Sequence, residues 1–178
     1  MTYRVTSEWV ALKRQLAFPL IDFLHPKTFS IDWQNCVLVR SLADIDNPPR
    51  EVLEFEFVGA NFRKDAPGLT GGERLSAVPS QSLLSLSTTP LPQLFDRQTA
   101  IIYSGVLPWR GANALYFRSI AMPFGNSAGA LTYALVAFSH KLTNDVLSPE
   151  RAQTELLEYS DGDWRSLNDP PELSQASA

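Results

Sequence analysis

The chain is poor in the residues that most protein chemistry relies on: among 178 residues there is one cysteine, with two histidines and two methionines. A lone Cys36 cannot form an internal disulfide, which suits a reducing compartment. Metal centres need converging His, Cys and carboxylate ligands, and His25, His140 and Cys36 show no paired spacing. Basic runs are also missing. The densest is the pair Lys13-Arg14, and a net charge of -4 with a pI near 5.1 argues against a surface built to neutralise nucleic-acid phosphates or to meet an anionic membrane. Nor is there a long apolar run. The longest, Leu131–Phe138, is interrupted by Thr132 and falls far short of the roughly 20 residues of a bilayer span. Residues 1–20 carry Arg4, Glu8, Lys13 and Arg14 where a secretory signal would have an apolar core. The expectation is a soluble, cytoplasmic chain with no membrane insertion and no nucleic-acid partner.

What is present is enough apolar material, 44% of residues, for one ordinary domain. Residues 53–75 are the most informative stretch. Leu53, Phe55 and Phe57 alternate with Glu54 and Glu56, the period of a half-buried strand. Gly59 ends the alternation, Ala60–Arg63 can start a short helix, and Pro67-Gly68 and Thr70-Gly71-Gly72 are corners.

Upstream, Thr6 or Ser7 can cap a helix with Trp9, Leu12, Leu16, Leu20 and Leu24 at helical spacing, kinked or restarted at Pro19 and closed by His25-Pro26. Val37–Val39 reads as a first strand, followed by a polar loop through Asp44, Asp46, Asn47, Pro48 and Pro49. A Leu-rich helix and turn region runs to about Pro92. Strands near 99–107, 114–124 and 130–140 then follow, joined by two short hairpin connections. Leu131–Phe138 is apolar on both faces, so the back of the sheet needs a cover, and the segment 7–24 supplies it from the same chain or a second subunit. Ser148-Pro149-Glu150 carries the signature of a helix start, predicting a helix to about Tyr159 and then a disordered tail. The expected organisation is an N-terminal helical cap over 1–34, a core over 35–142, and a C-terminal helix and tail over 143–178.

Two strands, a helical crossover and three consecutive hairpin strands resemble a PAS domain, in particular the single-domain branch typical of alphaproteobacteria. The resemblance spans roughly residues 7–141 and rests on Trp9, Phe55–Gly59 with Asn61-Phe62, Leu69-Thr70-Gly71, and Ala121-Met122-Pro123-Phe124. It departs at Arg63–Pro67, where the family more often has a longer aliphatic helix. It implies an α+β fold with a PAS-like five-stranded antiparallel sheet, a crossover after strand two, and a sensory or adaptor role that enzymes do not share. It further implies that output passes through a separate signalling protein and that the N-terminal helix, with Trp9, Leu12, Leu16 and Leu20, supports a homodimer.

Phe55, Phe57, Phe62, Leu83, Tyr103, Tyr116 and Phe138 are the candidates to line a small apolar ligand cavity, with Arg118 able to hold a carboxylate. Aromatic positions on a sheet facing helices are ordinarily packed core, the favoured reading, and Arg118 is more readily a solvated or intramolecularly paired arginine. Gly125-Asn126-Ser127-Ala128-Gly129 matches a nucleophile elbow, but a strand-like sequence follows where that motif needs a helix, so a hairpin turn is favoured. Gly68–Gly72 lacks the Lys-Ser/Thr ending of a phosphate loop. A haem-type histidine is absent from 75–95, and Cys36 lies outside any crossover helix, so no cofactor is expected. A ligand-free interaction adaptor is the first alternative. A small enzyme is the second, requiring Asp22, Asp96, His25 or His140 to converge in a cleft.

Overall fold

The computed structural model describes residues 2–13, 15–25, 29–43, 48–110, 113–145, 147–160 and 162–167. Parts of the polar loop at 44–49, Pro26 and the tail from 168 lie outside these residues. The elements run α1 (Thr2–Lys13), β1 (Cys36–Ser41), β2 (Leu53–Val58), α2 (Ala60–Arg63), α3 (Leu83–Ser87), α4 (Leu91–Arg97), β3 (Ile101–Trp109), β4 (Asn113–Gly125), β5 (Leu131–Thr143), β6 (Gln153–Ser160) and β7 (Asp163–Ser166), with short 3-10 turns between. The fold is α+β. Its strands form one antiparallel sheet, seven-stranded among the described residues, in the order β2-β1-β5-β4-β3-β6-β7.

The centre of this sheet is apolar on both sides. Ala134–Phe138 is buried without interruption, as is Ser119–Gly125 on the neighbouring strand, so each face must be covered. On the front, α2, α3 and α4 supply Phe62, Leu84, Leu91, Leu94 and Phe95 against Val37, Phe55, Phe117, Val136 and Phe138. On the back, Val5 and Trp9 of α1, with Phe29, lie over Ile102, Ile120, Met122, Phe124 and Leu135. The expected cover for the back of the sheet therefore comes from the same chain.

Trp9 anchors that cover. Its ring is 1% exposed and meets Tyr159 edge-on at 6.1 Å, while Nε1 donates to the Pro123 carbonyl at 2.9 Å. Pairing of β4 with β3 ends at Ala121, so Pro123 stands past the ladder, where its missing N–H costs no strand bond and its carbonyl is free to accept. The helix is shorter than the apolar stripe suggested. It stops at Lys13, Leu16 is exposed, and Leu20 instead bridges to Gly125, with Gly125 N–H donating to the Pro19 carbonyl at 2.9 Å.

Two expectations need correction. The Ser148-Pro149-Glu150 start yields only the 3-10 turn Pro149–Arg151, after which Gln153–Ser160 is β6, not a helix, and residues 163–166 form β7, not disordered tail. The reason lies in β3. Its edge would present a row of unpaired backbone groups, and β6 pairs with it from Ile101 to Val106 while alternating Leu156 to the front core and Leu157 to the back. The second correction is within β2. A bulge between Leu38 and Val39 skips Glu56 in the β1–β2 register and breaks the alternation of Leu53, Phe55 and Phe57. Phe57 turns to Trp33, centroids 5.9 Å apart, and Val58 takes its place in the front core.

Gly59 does what a corner residue there must. A Cβ on it would lie 2.4 Å from the Gln34 carbonyl oxygen, so Gly59→Ala must push α2 away from the Trp33–Asn35 turn. The expected cost is about 1–3 kcal/mol. Trp9→Ala removes the back-face anchor and should cost about 3–5 kcal/mol. Both are read from urea unfolding midpoints at unchanged slope.

Candidate functional site

Two places on the sheet gather the residues that the sequence singled out. The first is the front core. Phe55, Phe62 and Phe138 are at most 2% exposed, and the rings touch in a ladder: Phe62 to Phe138 at 5.8 Å, Phe138 to Phe117 at 6.3 Å, Phe117 to Tyr103 at 5.0 Å. Phe138 also stacks on His140 at 5.6 Å, which carries the ladder to the surface. Tyr103 and Leu83 are partly buried at this end. Burial pushes the Tyr103 hydroxyl above its ordinary pKa, opposed by a hydrogen bond with Thr154. Burial likewise lowers His140, with the Asp65 charge acting against it.

The open end of the ladder is held shut by one acidic residue. Asp65 accepts the Leu83 N–H at 2.5 Å through Oδ2, fixing the start of α3, and pairs through Oδ1 with Arg110 at the tip of the β3–β4 hairpin. Arg110 also donates to the Gln81 carbonyl at 3.3 Å and lies over the Trp109 ring at 5.5 Å. Helical crossover and hairpin are thereby tied together at the Arg63–Pro67 segment.

The second place is the back face beyond the reach of α1. Strand alternation sends Phe117 to the front and its neighbours Tyr116 and Arg118 to the back, away from the aromatic ladder. Tyr116 is 47% exposed. With Ser104, Ser139 and Lys141 they line an open depression of about 580 Å3. A second depression of about 600 Å3, lined in part by Gln153, Glu155 and Ser166, meets the first at Ser104-Gly105. The registers set this out in rows. Leu157, Ile102, Ile120 and Ala137 form an apolar row under the α1 cover; next come Glu155, Ser104, Arg118 and Ser139; then Gln153, Val106, Tyr116 and Lys141. Among the described residues, Arg118, Lys141 and Glu155 have no ion-pair partner.

Of the residues assigned to a cavity, then, Phe55, Phe62, Phe138, Tyr103 and Leu83 share the front core, while Phe57, Tyr116 and Arg118 stand elsewhere. Of those assigned to a second subunit, Trp9 is inside the protein, Leu12 and Leu20 are partly buried, and Leu16 is exposed at 43%. Lys141, Ser104 and Glu155 went unnoticed in the sequence. Lys141 could have been placed by counting alternation from Phe138, but Glu155 could not be placed without knowing that β6 exists. Asp22 and His25 are exposed on the segment that follows α1 and Asp96 is exposed on α4, and no group of three His, Cys, Asp or Glu side chains suited to a metal occurs among the described residues. Gly125–Gly129 is a hairpin turn in which Asn126 Oδ1 accepts from Ala128 and Ala130 N–H at 2.9 and 3.1 Å, and β5 follows it.

No protein-family description, curated protein or solved structure matches the chain.

Cys36 is 1% exposed, and its Sγ donates to the Asp32 carbonyl at 3.2 Å. Burial, reinforced by the Asp32 charge, pushes its pKa up to about 12. Only the thiolate is nucleophilic. A disulfide reagent at pH 8 should therefore leave Cys36 unmodified in the folded protein and titrate one thiol per chain after denaturation.

Proposed function

We propose that the chain is a non-enzymatic regulatory module of the PAS type that works through protein contacts, with a separate signalling partner carrying the output. The observation that carries this reading is the aromatic ladder. Phe62, Phe138, Phe117 and Tyr103 fill the space between sheet and helices by contacting one another, the packing of a core and not of a cavity kept for a ligand. Further support comes from the arrangement of β1 and β2, a helical crossover, and the consecutive strands β3, β4 and β5, which is compatible with the resemblance seen in the sequence. The open surface of the molecule lies on the back of the sheet, where it is broad and shallow. Small-molecule sites instead enclose most of their ligand.

A second reading, binding of a small apolar or amphipathic molecule, draws on the partly buried Tyr103 and Leu107 at the ladder's open end. The two are separated by truncating the ladder. In a packed core, Phe138→Ala should cost about 3–5 kcal/mol, and native mass spectrometry of protein purified without refolding should give the 19.8 kDa chain mass or its multiples. A co-purified small molecule, or a truncation that costs almost nothing, would sink the packed-core reading in favour of a ligand site.

A further inference from the structure

We infer that the open back face is an isologous dimer interface, on which a second copy of this chain packs about a two-fold axis running along β3. This rests on the reading of the protein as one that works through protein contacts, and it names the surface and the first partner.

The argument begins with the charges. Ser104 stands opposite Glu155 on one side and Arg118 on the other, so one straight row across the sheet reads Glu155, Ser104, Arg118. The two charges lie two strand spacings apart, about 10 Å, and no ion pair joins them among the described residues. A surface that carries opposite charges at equal distances from a neutral centre is complementary to itself. Rotating a second subunit by half a turn about an axis above β3 brings Arg118 over Glu155 of the partner subunit and Ser104 over the partner's Ser104. Both charges in each subunit then find a partner that neither has in the monomer.

The next row behaves consistently. Val106 and the half-exposed Tyr116 give the contact an apolar centre beside the charged row, and Tyr116 faces Gln153 of the partner subunit, whose amide matches its hydroxyl. The same rotation leaves the strands of the two sheets nearly aligned, the usual packing of sheet on sheet at about 10 Å. Two shallow depressions that meet at Ser104-Gly105 provide room for the arginine and glutamate side chains to interdigitate. The α1 cover stops one row short of this surface, so among the described residues no element lies over it. An unrelated acidic partner fits less well, because Glu155 would repel it while Arg118 and Lys141 attract it.

The test is a charge swap read by sedimentation equilibrium and native mass spectrometry. Wild-type protein should show a concentration-dependent dimer across the micromolar range, weakened by added salt. Arg118→Glu should raise the dissociation constant by at least about tenfold, Glu155→Arg should do the same, and the double variant should recover most of the loss. Ser104→Arg places like charges against each other on the axis and should also abolish the dimer. Circular dichroism and melting verify folding, and should Arg118→Glu fail to fold, Ser104→Arg decides alone. A wild type that stays monomeric, single reversals that leave the dimer intact, or a double variant no better than either single one would overturn the interface. The same spectra separate this from failure of the packed-core reading: loss of the doubled mass refutes the dimer, whereas extra mass on the chain refutes the packed core.

Discussion

The constraint on which the rest of the structure depends is the burial of β4 and β5 on both faces at once. An antiparallel sheet commonly leaves one face to water, and its strands then alternate apolar with polar residues. Here Ala134–Phe138 and the adjoining part of β4 do not alternate. Two separate apolar layers have to be built, and the remaining elements divide between them. The short helices α2, α3 and α4 serve the front, attached by contacts such as the buried Ser119 hydroxyl donating to the Ser87 carbonyl at 2.7 Å. Helix α1, with the aromatic residues of β6 and β7, serves the back through Trp9, Tyr159 and Trp164, whose rings form a continuous edge-on series.

The two edges of the sheet are managed differently. At β2 the chain returns through Gly72–Arg74, so that Phe55 N–H donates to the Glu73 carbonyl at 2.9 Å and Gly72 N–H to the Phe55 carbonyl at 2.6 Å. Glu73 holds that return in shape by accepting the Gly71 and Thr70 N–H groups at 2.8 and 3.1 Å, which lowers its pKa, the Gly71 bond being the larger cause. At the other side β6 and β7 extend the sheet and end it in a short, polar strand. Both solutions limit edge-to-edge association. The uncovered part of the back face is the surface assigned above to a second copy of this chain.

Much of this was legible from residue periodicity. The strands β3, β4 and β5 and the glycine corners at Gly59 and Gly71-Gly72 follow from alternation and turn chemistry, and the need for a cover over β5 follows from its lack of alternation. The bulge in β2 was not legible, because a single skipped residue is a property of the β1–β2 register and not of the β2 sequence. Strand β6 was misread because a proline-led helix start is satisfied by one 3-10 turn, and Leu156-Leu157 suits either a helix face or the two sides of a strand. The candidate site suffered accordingly. Phe55, Phe62 and Phe138 share one core, Tyr116 and Arg118 were assigned with them although alternation with Phe117 sends them to the opposite face, and Glu155 had no assigned place.

By itself the sequence determined that the segments of β1 to β5 are strands and that β5 is buried on both sides, because hydrophobic period and turn residues act over a few neighbouring positions. It also determined the scarcity of ligating and nucleophilic groups. Only the tertiary structure decided whether the aromatic residues pack against one another, where the back-face cover stops, and that Glu155, Ser104 and Arg118 share one row. Those outcomes depend on registers between strands distant in the chain, and a shift of one residue moves every side chain to the other face.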